Sequence, residues 1–392
     1  MTGKAFLAAA LFATAAIAAP ASAERLAIVG ADVLPMTAVE RLSDQTVLID
    51  GDRLAAVGPR SKIAIPASYR SIDARGKVVM PGLVDMHIHM SPDPGDNWDS
   101  TQRALTISLA NGITTARVMS GAPSHPAVRA RIEAGELAGP RLYLAAPSMA
   151  DPNTPTPEAA RDKVRAAKAA GFDLIKAHAI AKLPVWEAMS AEAKAVGLPV
   201  AGHVTNEVGL QRALAAGQQI EHLDSVPSEL MPATASRDFG QLLSKPELDV
   251  LASVPAARFA EVARDAKAKG GHFVPTLAAF ERISELERPF DAMRDGPDDE
   301  YVADWIIDDW ARRRDGLQAA GLTLEDSRGM GEVRRRITKA LYDAGVPLMV
   351  GSDTPHPFHI WGFGLHREIE SLHRAGLSRM AALRAATEVP RD

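Results

Sequence analysis

The chain has 392 residues, a formal net charge of -5 and no cysteine. Without thiols it cannot build disulfides, thiolate nucleophiles, zinc fingers or iron–sulfur clusters. Nothing in the mild acidic balance suggests a nucleic-acid partner, and no basic stripe is there to track a phosphate backbone. A content of 46% hydrophobic and 24% charged residues fits a soluble globular chain with a sizeable core.

Residues 1–23 read as a secretory signal. Lys4 supplies the positive start, Ala5 to Ala18 an uncharged apolar run, and Ala21-Ser22-Ala23 a small-residue cleavage site. The expectation is a periplasmic or secreted protein beginning at Glu24, with no membrane anchor after cleavage; the run is too short and too alanine-rich to span a bilayer comfortably. From Arg25 to Met80 short strands alternate with turns: Leu26–Val29, Thr46–Ile49, Leu54–Val57 and Val78–Met80, with Asp50-Gly51-Asp52 as a hairpin signal. Residues 24–80 are therefore expected to form a small β domain.

From Leu83 onward short apolar strands alternate with alanine-rich helices. The strand candidates are Leu83–His87, Ile113–Val118, Arg141–Ala145, Leu174–Lys176, Val200–His203, Ile220–His222, His272–Pro275 and Leu348–Asp353. Helical stretches such as Thr101–Ala110, Pro157–Ala170, Pro184–Val196, Val208–Ala216 and Ala256–Lys269 lie between them, and glycines follow most of them. This alternation implies parallel strands with right-handed crossovers, and eight units suit a (β/α)8 barrel. The overall expectation is an α/β chain: a TIM barrel over 81–392 with a small N-terminal β-sandwich-like domain. A doubly wound sheet is the rival, but no Gly-rich phosphate turn follows an early strand. Glu281 to Gly331, charged and holding Trp305 and Trp310, breaks the rhythm as a helical insertion, either over the barrel mouth or as a solvated helical pair.

Polar side chains recur where these strands end. His87 and His89 follow Val78-Val79-Met80-Pro81-Gly82-Leu83-Val84-Asp85-Met86, and on a strand both imidazoles would face one way. Lys176, His203, His222 and Asp353 end the fourth, fifth, sixth and eighth candidates. Such groups are costly in apolar strands unless paired or metal-bound. A single strand-end histidine is most often a satisfied core or surface residue, and a lone HxH can be a loop accident. Six such residues at matching ends, on the face where barrel enzymes carry their chemistry, are a much stronger signal.

The order and context of these residues resemble the amidohydrolase superfamily, in its binuclear branch of imidazolonepropionase-like and prolidase-like enzymes. Pro81 to His89 looks like its opening signature, Asp173-Leu174-Ile175-Lys176 like its carboxylated-lysine strand, and Gly202-His203, Glu221-His222 and Gly351-Ser352-Asp353-Thr354-Pro355 like its later ligands. The resemblance implies that His87, His89 and Asp353 hold one divalent metal, that His203 and His222 hold the other, and that Lys176 bridges them as a CO2-derived carbamate. Zinc is the default for imidazole-rich ligands. A free ammonium has no lone pair to offer a cation, whereas a carbamate is an anionic bridge. Two metals would acidify a shared water, with Asp353 as general base and then acid toward a leaving amine. The implied activity is hydrolysis of a C–N amide bond in a small-molecule substrate such as a dipeptide or N-acyl amino acid. Lactone, cyclic amide or phosphoester hydrolysis at the same site, and an inactive metal-binding relative, are the alternatives. No G-x-S-x-G or H-E-x-x-H motif supports a serine or zincin mechanism.

Tyr143, His178 and His356 are the candidate substrate contacts. Asp93 to Trp98 should shape the pocket entrance, and His359 should share the rim with His356. Arg117 and His272 read as structural. Relatives complete the N-terminal β unit with strands from the C-terminus, and none follows Thr387 here. The expectation is unpaired strand edges, and with them lower stability or a homo-oligomer.

Overall fold

The computed structural model describes residues 24–90, 98–232, 243–283, 299–302, 304–319 and 321–391. The chain divides into two compact units, 1–80 and 81–392. The first is one five-stranded sheet. Its centre is β1 (Arg25–Val33), antiparallel to β2 (Leu42–Asp50), which pairs in turn with β3 (Arg53–Pro59). On its other side β1 runs parallel to β4 (Arg70–Asp73) and β5 (Val78–Val79). Asp50 faces Arg53 across the β2–β3 turn, and Gly51 takes the positive φ that such a turn requires. Sequence pattern misses β4 because Arg70-Ser71-Ile72-Asp73 is exposed throughout and has no apolar alternation.

The second unit is a ring of parallel strands. One ladder joins β6 (Leu83–Ile88), β7 (Ile113–Val118) and β8 (Arg141–Leu144). Another joins β9 (Ile175–Ala177), β10 (Val200–Gly202), β11 (Gln219–Glu221) and β12 (Phe273–Val274). Single parallel bridges connect the ladders: Ala145 to Leu174, Phe273 to Leu348 and Ile88 to Thr354. The segment from Leu348 to Thr354 thus takes the eighth position. Its Met349 N–H donates to the Phe273 carbonyl at 2.9 Å, and its Val350 carbonyl accepts from the Met86 N–H at 2.9 Å. This is TIM-barrel order.

The eighth position is not a regular strand as expected, for a local reason. A Cβ on Gly351 would lie 2.4 Å from Val274 and 2.8 Å from the His87 side chain, so the backbone is pressed against its neighbours. Asp353 then takes φ +58°, which turns the chain out of extended geometry.

Around the ring run α1 (Trp98–Ala110), α2 (His125–Glu133), α3 (Pro157–Ala169), α4 (Leu183–Val196), α5 (Leu210–Ala215), α6 (Val226–Leu230), α7 (Lys245–Ser253), α8 (Ala256–Ala268) and α9 (Leu277–Ile283). They are followed by α10 (Asp304–Ala319), α11 (Leu324–Asp343), α12 (Phe363–Arg374) and α13 (Arg379–Ala385). The glycine stop signals act as read, and the helix starts carry their own caps. Thr156 caps α3 by accepting from the Ala159 N–H with Pro157 in the first turn, and Gly197 ends α4 with a left-handed φ of 70°. No described helix is long and apolar enough to cross a membrane.

The excursion is helical where it is described, in α10 and the start of α11; 284–298 lies outside the described residues. In α10, Ile307 and Trp310 are buried in one cluster with Ala104 and Ile107 of α1 and with Phe358, Ile360 and Trp361 of the loop after Asp353. The helix is therefore packed, not a solvated pair.

Candidate metal centre

The C-terminal ends of the strands bring the predicted imidazoles together. His87, His89 and Asp353 each offer one ligand atom, all within 4.8 Å of one another. Asp353 Oδ1 lies 2.9 Å from His89 Nε2 and 3.3 Å from His87 Nε2, and its Oδ2 lies 3.2 Å from His356 Nε2. The rings of His87 and His222 are 4.7 Å apart, those of His203 and His222 stack at 4.6 Å, and His178 meets His203 edge-on at 4.7 Å. Three residues here, His222, Thr276 and Asp353, are held at positive φ. Such strain costs about 1–3 kcal/mol per residue and gathers where side chains must be aimed.

Lys176 lies on β9 with 1% of its surface exposed, and among the described residues its Nζ has no hydrogen-bond partner. Burial pushes its amine below the ordinary lysine range, against the pull of Glu221 and Asp353. Burial likewise holds His87 and His222 well below the usual imidazole range, so both are neutral. Burial would raise Asp353, but His356 beside it holds it well below the carboxylate range. His356 is driven down by burial and up by Asp353, and the net shift is upward. Asp353 and His356 therefore favour each other's charged forms.

Neutral imidazoles beside an ionised carboxylate are the donor chemistry a divalent cation needs, and this set fits one. An orphaned amine buried among them fits a further ligand only after it has lost its proton.

Around these residues lies a layer that sequence reading did not pick out. Glu221 Oε2 lies 2.6 Å from His87 Nδ1, and its Oε1 accepts from Arg117 at 2.6 Å. Asp224 Oδ2 lies 2.7 Å from His203 Nδ1, and Thr276 Oγ1 lies 2.8 Å from His222 Nδ1. Asp85 Oδ1 accepts from the N–H groups of Ser352 and His87, and burial pushes its carboxyl up to about 7. Acids next to the histidines in Glu221-His222-Leu223-Asp224 were the available signal. Only the fold shows that Glu221 serves His87, 134 residues away, and not its own neighbour.

Two substrate candidates, His178 and His356, lie at this cluster. Tyr143 is not brought to it: about half exposed, it lines a separate cavity of about 360 Å³ with Thr115, Arg117, Arg141 and Gln219. Parity explains the difference. Tyr143 pairs with Arg117 in mid-ladder, short of the strand end at Leu144. His359 is not at the rim. It is fully buried and donates from Nε2 to the Ser352 carbonyl at 2.8 Å. Arg117 is structural as read, with its guanidinium on Met86, Gln219 and Glu221. The His272 ring hydrogen-bonds the Gly270 carbonyl beside it. The expected entrance segment 93–97 lies outside the described residues.

A parallel α/β ring with a histidine–carboxylate cluster at its strand ends defines a metal-binding TIM-barrel protein. The chain belongs to the amidohydrolase family, whose profile matches residues 78–391. Among solved structures it is similar to a protein described as a prolidase from Bifidobacterium longum, with 26% identity, a TM-score of 0.67, and 94% of this chain and 83% of that one covered. It is also similar to bottromycin amidohydrolase, with 25% identity, a TM-score of 0.69, and coverage of 93% and 76%. A curated relative, adenine deaminase 2 of Bradyrhizobium sp. (strain ORS 278), is 30% identical over 196 residues, 46% of this chain and 32% of that protein. The chain thus spans no more than about a third of the length of that relative.

Proposed function

We propose that this chain is an exported, metal-dependent hydrolase of C–N amide bonds in small substrates, with dipeptides and N-acyl amino acids as the first class. His87, His89 and Asp353 would hold one divalent ion and His203 and His222 a second, with Lys176 between them as a carbamate. The observation that carries the reading is the convergence of His87, His89 and Asp353 on one point from positions 264 residues apart in sequence. The ions, zinc by default, would supply a Lewis acid and an acidified water.

The protein's own groups do the rest. Asp353 is ionised and carries acceptor oxygens toward the cluster, so it is suited to take a proton from attacking water and deliver it to the leaving amine. His356, 3.2 Å from it, balances its charge and is exposed enough to meet substrate. His178 keeps exposed surface and sits edge-on to His203; desolvation of its ring lowers its pKa to about 4, so it is neutral and can donate or accept a hydrogen bond at the substrate side. Burial eases the loss of the Lys176 proton, and the free amine is the form that adds CO2, which supports the carbamate. Similarity to the protein described as a prolidase supports the dipeptide class, and the leader-like residues 1–23 support export.

The test is metal analysis of purified protein combined with turnover of Xaa-Pro dipeptides, N-acyl amino acids, lactones and phosphoesters. Two ions per chain and amide turnover are expected, with a carbamate resonance after 13C-bicarbonate labelling that Lys176→Ala removes. Turnover of lactones or phosphoesters alone would replace the substrate class. A metal-free protein inert on every compound would end the proposal.

A further inference from the structure

Each of three inward imidazoles has a different group behind it. His87 backs onto Glu221, itself gripped by Arg117; His203 backs onto Asp224; His222 backs onto the hydroxyl of Thr276. A carboxylate can only accept, so it holds the hydrogen on Nδ1 and leaves the Nε2 lone pair free. A hydroxyl can donate or accept and fixes neither. Glu221 is fully buried, and Arg117 is 5% exposed. The Arg117 guanidinium is anchored by the Met86 carbonyl and by Gln219 Oε1, at 2.7 and 2.5 Å. Arg117, Glu221 and His87 therefore form a rigid row from β7 across β11 to β6, ending at the His87–His89–Asp353 group.

We propose that Arg117 and Glu221 are positioning residues for one ion only: they orient His87 so that the His87–His89–Asp353 group binds its cation tightly, while the cation at His203 and His222 depends on Asp224 instead. This rests on the two-ion reading above. Loss of such a partner lowers metal affinity about 10- to 100-fold. The two ions should thus be separable by mutating residues that touch neither.

The experiment titrates metal-free protein with zinc in a competing chelator and records the electron paramagnetic resonance of the manganese-loaded form. Wild type should take up two ions and show spin coupling between them. Glu221→Gln, close in shape but uncharged, should lose affinity for one ion about 10- to 100-fold, bind one manganese at intermediate concentrations and show no coupling, with the metal-free protein still folded by circular dichroism. Asp224→Asn should weaken the other ion. In a His89→Ala background, where the first group is already broken, adding Glu221→Gln should leave the remaining affinity unchanged, since residues acting through one unit are not additive. Should Glu221→Gln fail to fold, Arg117→Gln carries the same comparison. A folded Glu221→Gln with two ions at wild-type affinity, or with both ions weakened equally, overturns the inference. A wild type that takes up no ion overturns instead the reading beneath it.

Discussion

Asp353 is the residue on which the site's contacts converge, and His222, His87, His89 and His356 all lie within 3.5 Å of its oxygens. Replacing it by asparagine keeps the shape and removes the charge and the proton acceptor. Asp353→Asn should lose about 10²- to 10⁴-fold in turnover with circular dichroism unchanged; wild-type turnover would remove Asp353 from the chemistry. Gly202 does a different job just before His203. It sits at φ +137°, and a Cβ there would come 2.0 Å from the Ala177 carbonyl oxygen. Backbone cannot give way as a side chain can, so Gly202→Ala should cost roughly 2–4 kcal/mol and displace His203. Denaturant unfolding and metal stoichiometry measure both effects.

At the scale of elements, α10 connects the excursion to the site. Trp310 stacks edge-on against Phe358 with centroids 5.6 Å apart, and Trp361 of the same loop donates from Nε1 to the His89 carbonyl at 2.9 Å. The helix holds the loop that holds His89 and carries His356. Trp310→Ala should therefore destabilise by about 3–5 kcal/mol through the cavity it leaves. It should also raise KM or lower kcat, through the loop that Phe358 shares with His356. A variant with lower melting temperature but wild-type kinetics would limit α10 to a role in stability.

For the whole molecule, two buried groups set opposite pH slopes. His359 is pushed by burial from 6.5 to about 3. It stays neutral in the fold, so its stabilising contribution is present above about pH 6.5 and is lost as pH falls toward 3. Glu368 of α12, which accepts from the Ala278 N–H of α9 at 2.6 Å, is pushed by burial from 4.5 to about 8. Its contribution is present below about pH 4.5 and is lost as pH rises toward 8. Glu368→Gln keeps a carbonyl oxygen for Ala278 and removes the ionisation. Its melting temperature relative to wild type should rise steadily from pH 5 to pH 8; a difference independent of pH would show that Glu368 ionises freely in the fold.

Much of this protein was legible in one dimension. Alternating strands and helices predict the barrel, because hydrophobic period and chain-stopping glycines are local properties. His87, His89, Lys176, His203, His222 and Asp353 stand out because polar groups at apolar strand ends need a partner. Tertiary structure alone decided who those partners are. Pairing of Glu221 with His87 and of Asp224 with His203 depends on strands that meet only when the ring is formed. The same is true of Tyr143, whose position one residue short of the strand end sends it to another cavity, and of His359, which the fold buries. Local pattern can say that a side chain requires company, but which group supplies it is a matter of distance in space, and that is set by packing.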